Sequence, residues 1–382
     1  MVGRARRECK VGVSFVIKYI GSKRMLIPVI MEAVKQATQA KTVIDLFSGT
    51  ARVGHALKAA GYQVFSNDCN AYAATLARCY VQADAEDLLD DAKKLVREFN
   101  DIKGQAGYFT ETFCVRSRFF QPKNGERIDA IREAMVAKGL EPELEAVMLV
   151  SLMEAADRVD STTGLQMAYL KTWAARSYKD LELRIPEVLP RAAHGKGQVT
   201  CLDALEAAQR SEADVAYLDP PYNQHSYLGN YHIWESLVRW DKPEVYGVAC
   251  KRVDVRQRQS IFNSRPQFAG ALRQLLEAVR APVIVVSFNN EGYIHREAME
   301  AMLSGLWEGQ GKVTTLENDF KRYVGAQIGI HNLKGEKVGK ISHLRNKEYV
   351  YIVSRGQPLA EDAQRLGADQ KRPKVPLLGG EE

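Results

Sequence analysis

The stretch that most constrains the fold runs from Lys41 to Asp68. Thr42 to Leu46 is a short β-rich run through Asp45, Ser48 to Thr50 makes a tight turn, and Val53 to Ala60 carries helical periodicity. Gly61 stands where a helix C-cap glycine belongs, and Val64 to Ser66 forms a second strand ending on Asn67-Asp68. Strand, helix and strand in so short a span make a parallel βαβ unit, and a sheet built this way gathers its ligands at the carboxyl ends of its strands. Helices are expected next at about 71–82 and 86–99, the second with Leu88, Ala92, Leu95, Val96 and Phe99 on one face.

The segment from about 101 to 197 breaks the alternation. Phe109, Phe113, Phe119 and Phe120 are interleaved with Arg116, Arg118, Lys123 and Arg127, and helical stretches follow near 126–138 and 142–157. We read it as an insertion with its own function, closed by the loop His194-Gly195-Lys196-Gly197. The βα pattern resumes with Gln198 to Cys201, a helix near 202–208, the strand Val215 to Leu218, helices near 231–239 and 268–280, and the β-branched strand Val283 to Ser287. From about 313 to 354 the pattern is antiparallel, with Gly335 in a turn and Tyr349 to Val353 as the last strand, and a loose tail is expected after Gly356.

With 382 residues, 46% of them hydrophobic and 26% charged, the chain can bury a core and is not a disordered sequence. Apolar runs such as Ala281 to Val286 fall far short of the roughly 20 residues that cross a bilayer, so no membrane partner is expected. Arg4, Arg6 and Arg7 followed by Val11 to Ile17 only faintly resemble a signal peptide, because Lys18 follows with no small-residue cleavage site; a cytoplasmic protein is expected. The six cysteines, Cys9, Cys69, Cys79, Cys114, Cys201 and Cys250, have neither Cys-x-x-Cys spacing nor a nearby histidine cluster, so reduced thiols and no metal are expected. A net charge of +6 suits a polyanionic partner without requiring one.

Asp219-Pro220-Pro221-Tyr222, directly after the apolar strand Val215 to Leu218, carries the most chemical information. Consecutive prolines cannot continue a central strand, so a rigid backbone leaves the sheet there and presents its carbonyls and flanking side chains at the carboxyl edge. The plain alternative is a turn with a capping aspartate and a packing tyrosine. Asp45-Leu46-Phe47-Ser48-Gly49-Thr50, with Asp68 closing the next strand, is the second constellation. Its glycine turn permits close approach of a nucleotide-like ligand, and an acid after the second strand can accept from ribose hydroxyls. Gly49 and Gly54 lack the intermediate glycine of Gly-x-Gly-x-x-Gly and no Walker lysine follows, which argues against NAD and ATP. An ordinary βαβ turn remains the competing reading.

Taken together, these residues resemble the Dam-like, alpha-group DNA adenine-N6 methyltransferases, in which cofactor motifs precede the target-recognition region and the catalytic motif follows it. The resemblance covers roughly 18 to 354. Tyr19-Ile20-Gly21-Ser22-Lys23 looks like motif X, Asp45 to Gly49 motif I, Asn67-Asp68 motif II, Asp203 motif III and Asp219 to Tyr222 motif IV. One departure stands in motif I, where Ala51 occupies a glycine position and is expected to need a negative φ.

The resemblance implies a Rossmann-like S-adenosylmethionine-dependent α/β fold, with a central mostly parallel sheet and an inserted helical target-recognition region. It divides the chain into a motif X and cofactor part at 1–100, a target-recognition insertion at 101–197, a catalytic part at 198–355 and a tail at 356–382. S-adenosylmethionine is the implied cofactor. Tyr19, Gly21 and Lys23 would meet its methionine end, Asp45 its amino group, Asp68 the ribose and Asp203 the adenine edge, with Phe47 and Gly49 forming the loop beneath. Asp203 could instead only cap a helix, and Lys23 could be a solvated lysine. The implied substrate is adenine in double-stranded DNA, and a cognate restriction endonuclease is an admitted partner.

The chemistry explains the motif. The amino lone pair of adenine is delocalised into the ring, and no group of ordinary pKa deprotonates it beforehand. Two acceptors, the Asp219 carboxylate and the Pro220 carbonyl, can take both amino hydrogens and stabilise the positive charge that grows on nitrogen. A base inside a duplex must first be flipped out at a cost of a few kcal/mol. The Tyr222 ring, after Pro221, stands where stacking worth about 1–3 kcal/mol would offset that cost, unless it is simply a core aromatic. DNA contacts are expected from Arg116, Arg118 and Lys123 and from Arg252, Arg256 and Arg258, although such runs also form solvated faces. Action on cytosine or RNA, or a catalytically silent DNA-binding module of the same fold, are the alternatives.

Overall fold

The computed structural model describes residues 17–321 and 345–356. The N-terminal arginines, Cys9, the expected turn at Gly335 and the tail beyond Gly356 lie outside the described residues.

The chain divides into two units. One comprises Lys23–Ala77, Arg191–Ser226 and the residues from Arg258 onward. It holds a seven-stranded sheet of β1 (Thr42–Asp45), β2 (Gln63–Asn67), β3 (Gln198–Thr200), β4 (Val215–Leu218), β5 (Val283–Asn289), β6 (Gly311–Lys321) and β7 (Arg345–Arg355), in the spatial order β3-β2-β1-β4-β5-β7-β6. The first five strands run parallel, and β7 lies antiparallel between β5 and β6. The sheet is therefore mixed and mostly parallel, as expected.

Burial follows from that arrangement. Every residue of β4 and β5 is buried, as strands covered on both faces require, which is why both read as unbroken apolar runs. The helices of this unit are α1 (Ile27–Lys35), α2 (Arg52–Ala59), α3 (Ala71–Ala77), α4 (Ala204–Arg210), α5 (Arg265–Ala278) and α6 (Arg296–Ser304). Phe268, Leu272 and Leu275 of α5 and Met299 and Leu303 of α6 pack with Ile44, Leu218, Ile284 and Val286 of the sheet.

Chain progression reverses at β1. From it the chain moves outward to β2 and β3, then returns to place β4 on the other side. The crevice beyond the carboxyl ends of β1 and β4 is the topological switch point, where an open α/β sheet binds its ligand. Asp45 ends β1, and Asp219 follows the last residue of β4.

Two local conformations refine the sequence reading. Gly61 has φ +95° just past α2, as a C-cap glycine should. Ala51 does not take the negative φ expected of it: it lies in the left-handed region at φ 57°, ψ 17°, immediately before α2. Such a conformation costs an alanine about 1–2 kcal/mol. Ala51 is fully buried in the turn, where its N–H donates to the Ser48 carbonyl at 2.7 Å and its own carbonyl accepts from the His55 N–H at 2.8 Å.

The other unit comprises the residues up to Ser22, Arg78–Pro190 and Tyr227–Gln257. It is assembled from three stretches of chain. Its helices Ala85–Asp101, Pro122–Lys138, Pro142–Arg158 and His232–Arg239 surround an aromatic interior. Phe109, Phe113, Phe119 and Phe120, which the sequence set beside basic residues, are all buried there, and Phe109 and Phe113 pack edge-on at 4.9 Å. Their periodicity serves packing, while the cations between them point elsewhere.

Candidate active site

The switch-point crevice gathers four ionisable side chains from distant parts of the sequence. Asp45 arrives on β1 and Asp219 on the turn after β4, while Lys23 comes from the short 3₁₀ turn Lys23–Met25 and Glu348 from β7. The Lys23 Nζ lies 3.1 Å from Asp219 Oδ1 and 3.5 Å from Glu348 Oε2, and the Lys23 side chain is almost fully buried. Burial works against the ammonium, but Asp219 and Glu348 overcome it and hold Lys23 well above the ordinary lysine range. Lys23 is thus a buried ion-pair partner, which disposes of the solvated-lysine alternative.

Asp219 retains 19% side-chain exposure. Burial raises its pKa to about 6, opposed by Lys23 and reinforced by the charge on Glu348. Tyr222 follows, half-buried. Its hydroxyl accepts from Asn289 Nδ2 at 3.2 Å, its ring packs edge-on against Phe288 at 5.4 Å, and Lys23 Nζ lies 5.6 Å from its centroid. Pro220 and Pro221 impose the backbone direction that leaves β4. The following loop is pinned by Asn263, whose Nδ2 donates to the Asn223 and His225 carbonyls at 2.7 and 3.2 Å.

Asp45 presents a different environment. It is 1% exposed, and neither carboxylate oxygen has a hydrogen-bond partner. Burial raises its pKa to about 8, the charge on Asp219 and then that on Asp68 adding to the effect, while the Phe47 backbone N–H, which lies outside hydrogen-bonding geometry, opposes it. A buried carboxylate without a donor is costly unless a cation completes the site. Next to it the loop is ordered from below: the Gly49 N–H donates to Asp68 Oδ2 at 3.0 Å, and Asp68 Oδ1 accepts from the Asn70 N–H at 2.9 Å. Gly49 has φ +51°, and Phe47 packs edge-on against Phe262 at 5.2 Å.

A cleft of about 370 Å³ is lined among others by Cys69 and Asn70, which follow Asp68 in the chain, and by Asp203, Arg258, Ser260 and Phe262. Asp203 does cap α4, accepting from the Leu205 N–H at 2.9 Å, yet it also faces this cleft, so capping and ligand contact are compatible. These features fit S-adenosylmethionine: an unpaired buried carboxylate for its ammonium end, and a polar and aromatic cleft for its nucleoside end.

Tyr19 and Gly21 belong to the other unit. There the Tyr19 ring stacks on Tyr231 at 4.5 Å and on Tyr227 at 5.4 Å, and a Cβ on Gly21 would stand 3.0 Å from the Tyr227 hydroxyl.

The six expected DNA-contacting cations separate into different roles. Arg116 is exposed. Arg118 stacks on Trp173 at 4.7 Å and donates to the Lys171 carbonyl, and Arg256 stacks on Tyr246 at 4.0 Å. Lys123 is paired with Asp180. Arg258 lines the cleft beside Asp203. Arg252 is the clear departure: its side chain is 1% exposed and held by Asp241 at 2.6 Å and Asp254 at 2.9 Å, an internal strut with no surface left for phosphate. Glu348 was missed from sequence because it reads as a charged residue leading into a β-rich strand. Only its place beside Asn289, opposite on β5, gives it meaning.

The described residues contain no group of three or more His, Cys, Asp or Glu side chains able to hold a metal, no disulfide, and no helix long and apolar enough to cross a membrane.

A mostly parallel sheet with acidic side chains at its switch point is an α/β fold of the ligand-binding kind, and comparison makes the class specific. Residues 19–302 match the D12 class N6 adenine-specific DNA methyltransferase family, and the chain belongs to it. It is 30% identical to modification methylase StsI of Streptococcus sanguinis over 95% of this chain and 57% of that protein. It is 29% identical to the type II methyltransferase M.FokI of Planomicrobium okeanokoites, over 75% of this chain and 46% of that one. The chain thus spans about half the length of these two relatives. It is also 26% identical to M.NlaIII of Neisseria lactamica, over 87% of this chain and the whole of that protein.

Proposed function

We propose that this protein is an S-adenosylmethionine-dependent, Dam-like DNA adenine methyltransferase that modifies a short site in double-stranded DNA, in the manner of the type II modification methylases it resembles. The observation that supports this most directly is the pair of carboxylates at the switch point: Asp45 buried without a partner, and Asp219 half-neutralised by Lys23 and reachable from outside. When bound, S-adenosylmethionine supplies an electrophilic methyl on a sulfonium. Asp45 holds its ammonium, Asp68 its ribose, and Asp203 with the surrounding cleft its adenine.

Lys23 engages Asp219 at Oδ1, which leaves Oδ2 to accept one amino hydrogen of the target while the Pro220 carbonyl accepts the other. Those acceptors draw the nitrogen toward tetrahedral geometry and stabilise its developing charge, and losing one charge-assisted bond costs roughly ten- to a hundredfold in rate. The Tyr222 ring, fixed by Asn289 and Phe288, offers a face for the extruded base. Exposed Arg116, with Arg118 and Arg256 held flat against aromatic rings, supplies phosphate contacts.

Incubation with labelled cofactor and duplex DNA should yield N6-methyladenine. Label in cytosine, in RNA alone, or nowhere would overturn the reading in favour of an amino-methyltransferase of other substrate or a silent module.

A further inference from the structure

We propose that Glu348 is a positioning residue for catalysis, acting on Asp219 through Lys23; the inference rests on the methyltransferase reading above. The antiparallel course of β7 delivers its first half to the carboxyl edge of β5, and the Asn289–Glu348 pairing fixes that register. Glu348 is therefore held by backbone hydrogen bonding at the end of the strand, and its carboxylate reaches Lys23 Nζ at 3.5 Å while Asp219 reaches the same nitrogen at 3.1 Å.

The stoichiometry carries the argument. One buried ammonium paired with Asp219 alone would neutralise the acceptor that the reaction needs. Two carboxylates sharing that ammonium leave the cluster with a net negative charge and restrain Lys23 between fixed points, so that Oδ1 stays occupied and Oδ2 stays available. A structural ion pair would need only one acid. The groups facing this cluster are Asp45 from β1, Tyr217 and Asp219 from β4 and its turn, Tyr222 after the prolines, and Lys23 from the N-terminal turn; Asp68 acts from beyond Asp45. Lys23 is the cation among them, and Glu348 decides how much of its charge Asp219 receives.

The test is the pH profile of kcat for Glu348→Gln, with S-adenosylhomocysteine binding by calorimetry as the check on folding. Without the second carboxylate Lys23 turns wholly to Asp219, and a carboxylate relieved of a negative neighbour ionises more easily. The acid limb of kcat should therefore move to lower pH, while kcat on its plateau falls about tenfold and the KM for DNA changes little. A folded variant with the wild-type limb and plateau refutes the proposal, and so does a lowered plateau with an unmoved limb, which is what a merely structural role gives. Should Glu348→Gln not fold, Glu348→Asp retains the charge at a shorter reach: a lowered kcat with the acid limb moved part of the way to lower pH supports the role, and a wild-type kcat or an unmoved limb refutes it. If wild-type protein forms no N6-methyladenine, the underlying reading fails instead.

Discussion

Asp45 gives a direct test of the cofactor site, because its cost to the fold can be worked out. Its folded-state pKa of about 8 stands far above the ordinary 3.8, first because of burial. A raised carboxylate pKa means that the folded state prefers the protonated form, so its contribution to stability is complete below about pH 4 and is lost as pH rises toward 8. At pH 7 the loss amounts to about 4 kcal/mol, at 1.36 kcal/mol per pH unit above the unfolded value. Asp45→Asn removes the charge but leaves a buried amide with the same lack of partners, which gives back about 1–3 kcal/mol. The net gain is about 1–3 kcal/mol at neutral pH, or roughly 2–4 °C in Tm per kcal/mol for a unit of 150–250 residues. Thermal melts of ligand-free protein at pH 4, 6 and 8 should show the variant about 1–3 kcal/mol less stable than wild type at pH 4, where Asp45 is still protonated, and progressively more stable relative to it as pH rises. Calorimetry should show weakened S-adenosylhomocysteine binding in the same variant. Melts that coincide at pH 8, or a variant that binds as wild type, would refute the assignment of Asp45 as an unpaired acid kept for a cation.

Four further outcomes follow from the geometry. Turnover should fall as pH drops through about 6, where Asp219 takes up a proton and ceases to accept, and initial rates from pH 5 to 8 read this limb. Asp219→Ala should bind cofactor normally and lose at least ten- to a hundredfold in single-turnover rate; retained turnover would remove it from the mechanism. Arg252→Ala should lower stability by roughly 1–3 kcal/mol in denaturant titrations, since it removes the buried guanidinium shared by Asp241 and Asp254 and leaves them only the half-exposed Arg239. Arg116→Ala should leave stability unchanged and reduce the salt dependence of DNA binding by about one phosphate contact.

The sequence by itself determined the parallel core and the ends of its central strands. Asp45 and Asp219 are legible because apolar β-branched runs stop at them, and Pro220-Pro221 forbids β4 from continuing. These are local effects of periodicity and backbone restriction, written within a few residues. The burial of the phenylalanines at 109–120 was not legible on the same local basis: their spacing beside arginines cannot tell a core aromatic from an exposed one, and all four are buried. Likewise the left-handed turn at Ala51 is imposed by burial and by the hydrogen bonds around it rather than by its own preference.

What only the tertiary structure decided is which charges meet. Lys23, Asp219 and Glu348 come from opposite ends and the middle of the chain, and their contact depends on strand order and on the β5–β7 register, where a slip of one residue would turn Glu348 to the other face of the sheet. Arg252 and Arg116 are equivalent as letters, yet one is enclosed by two carboxylates and the other faces water. Coulombic interaction and desolvation depend on distance in space, and separation along the chain carries no information about either.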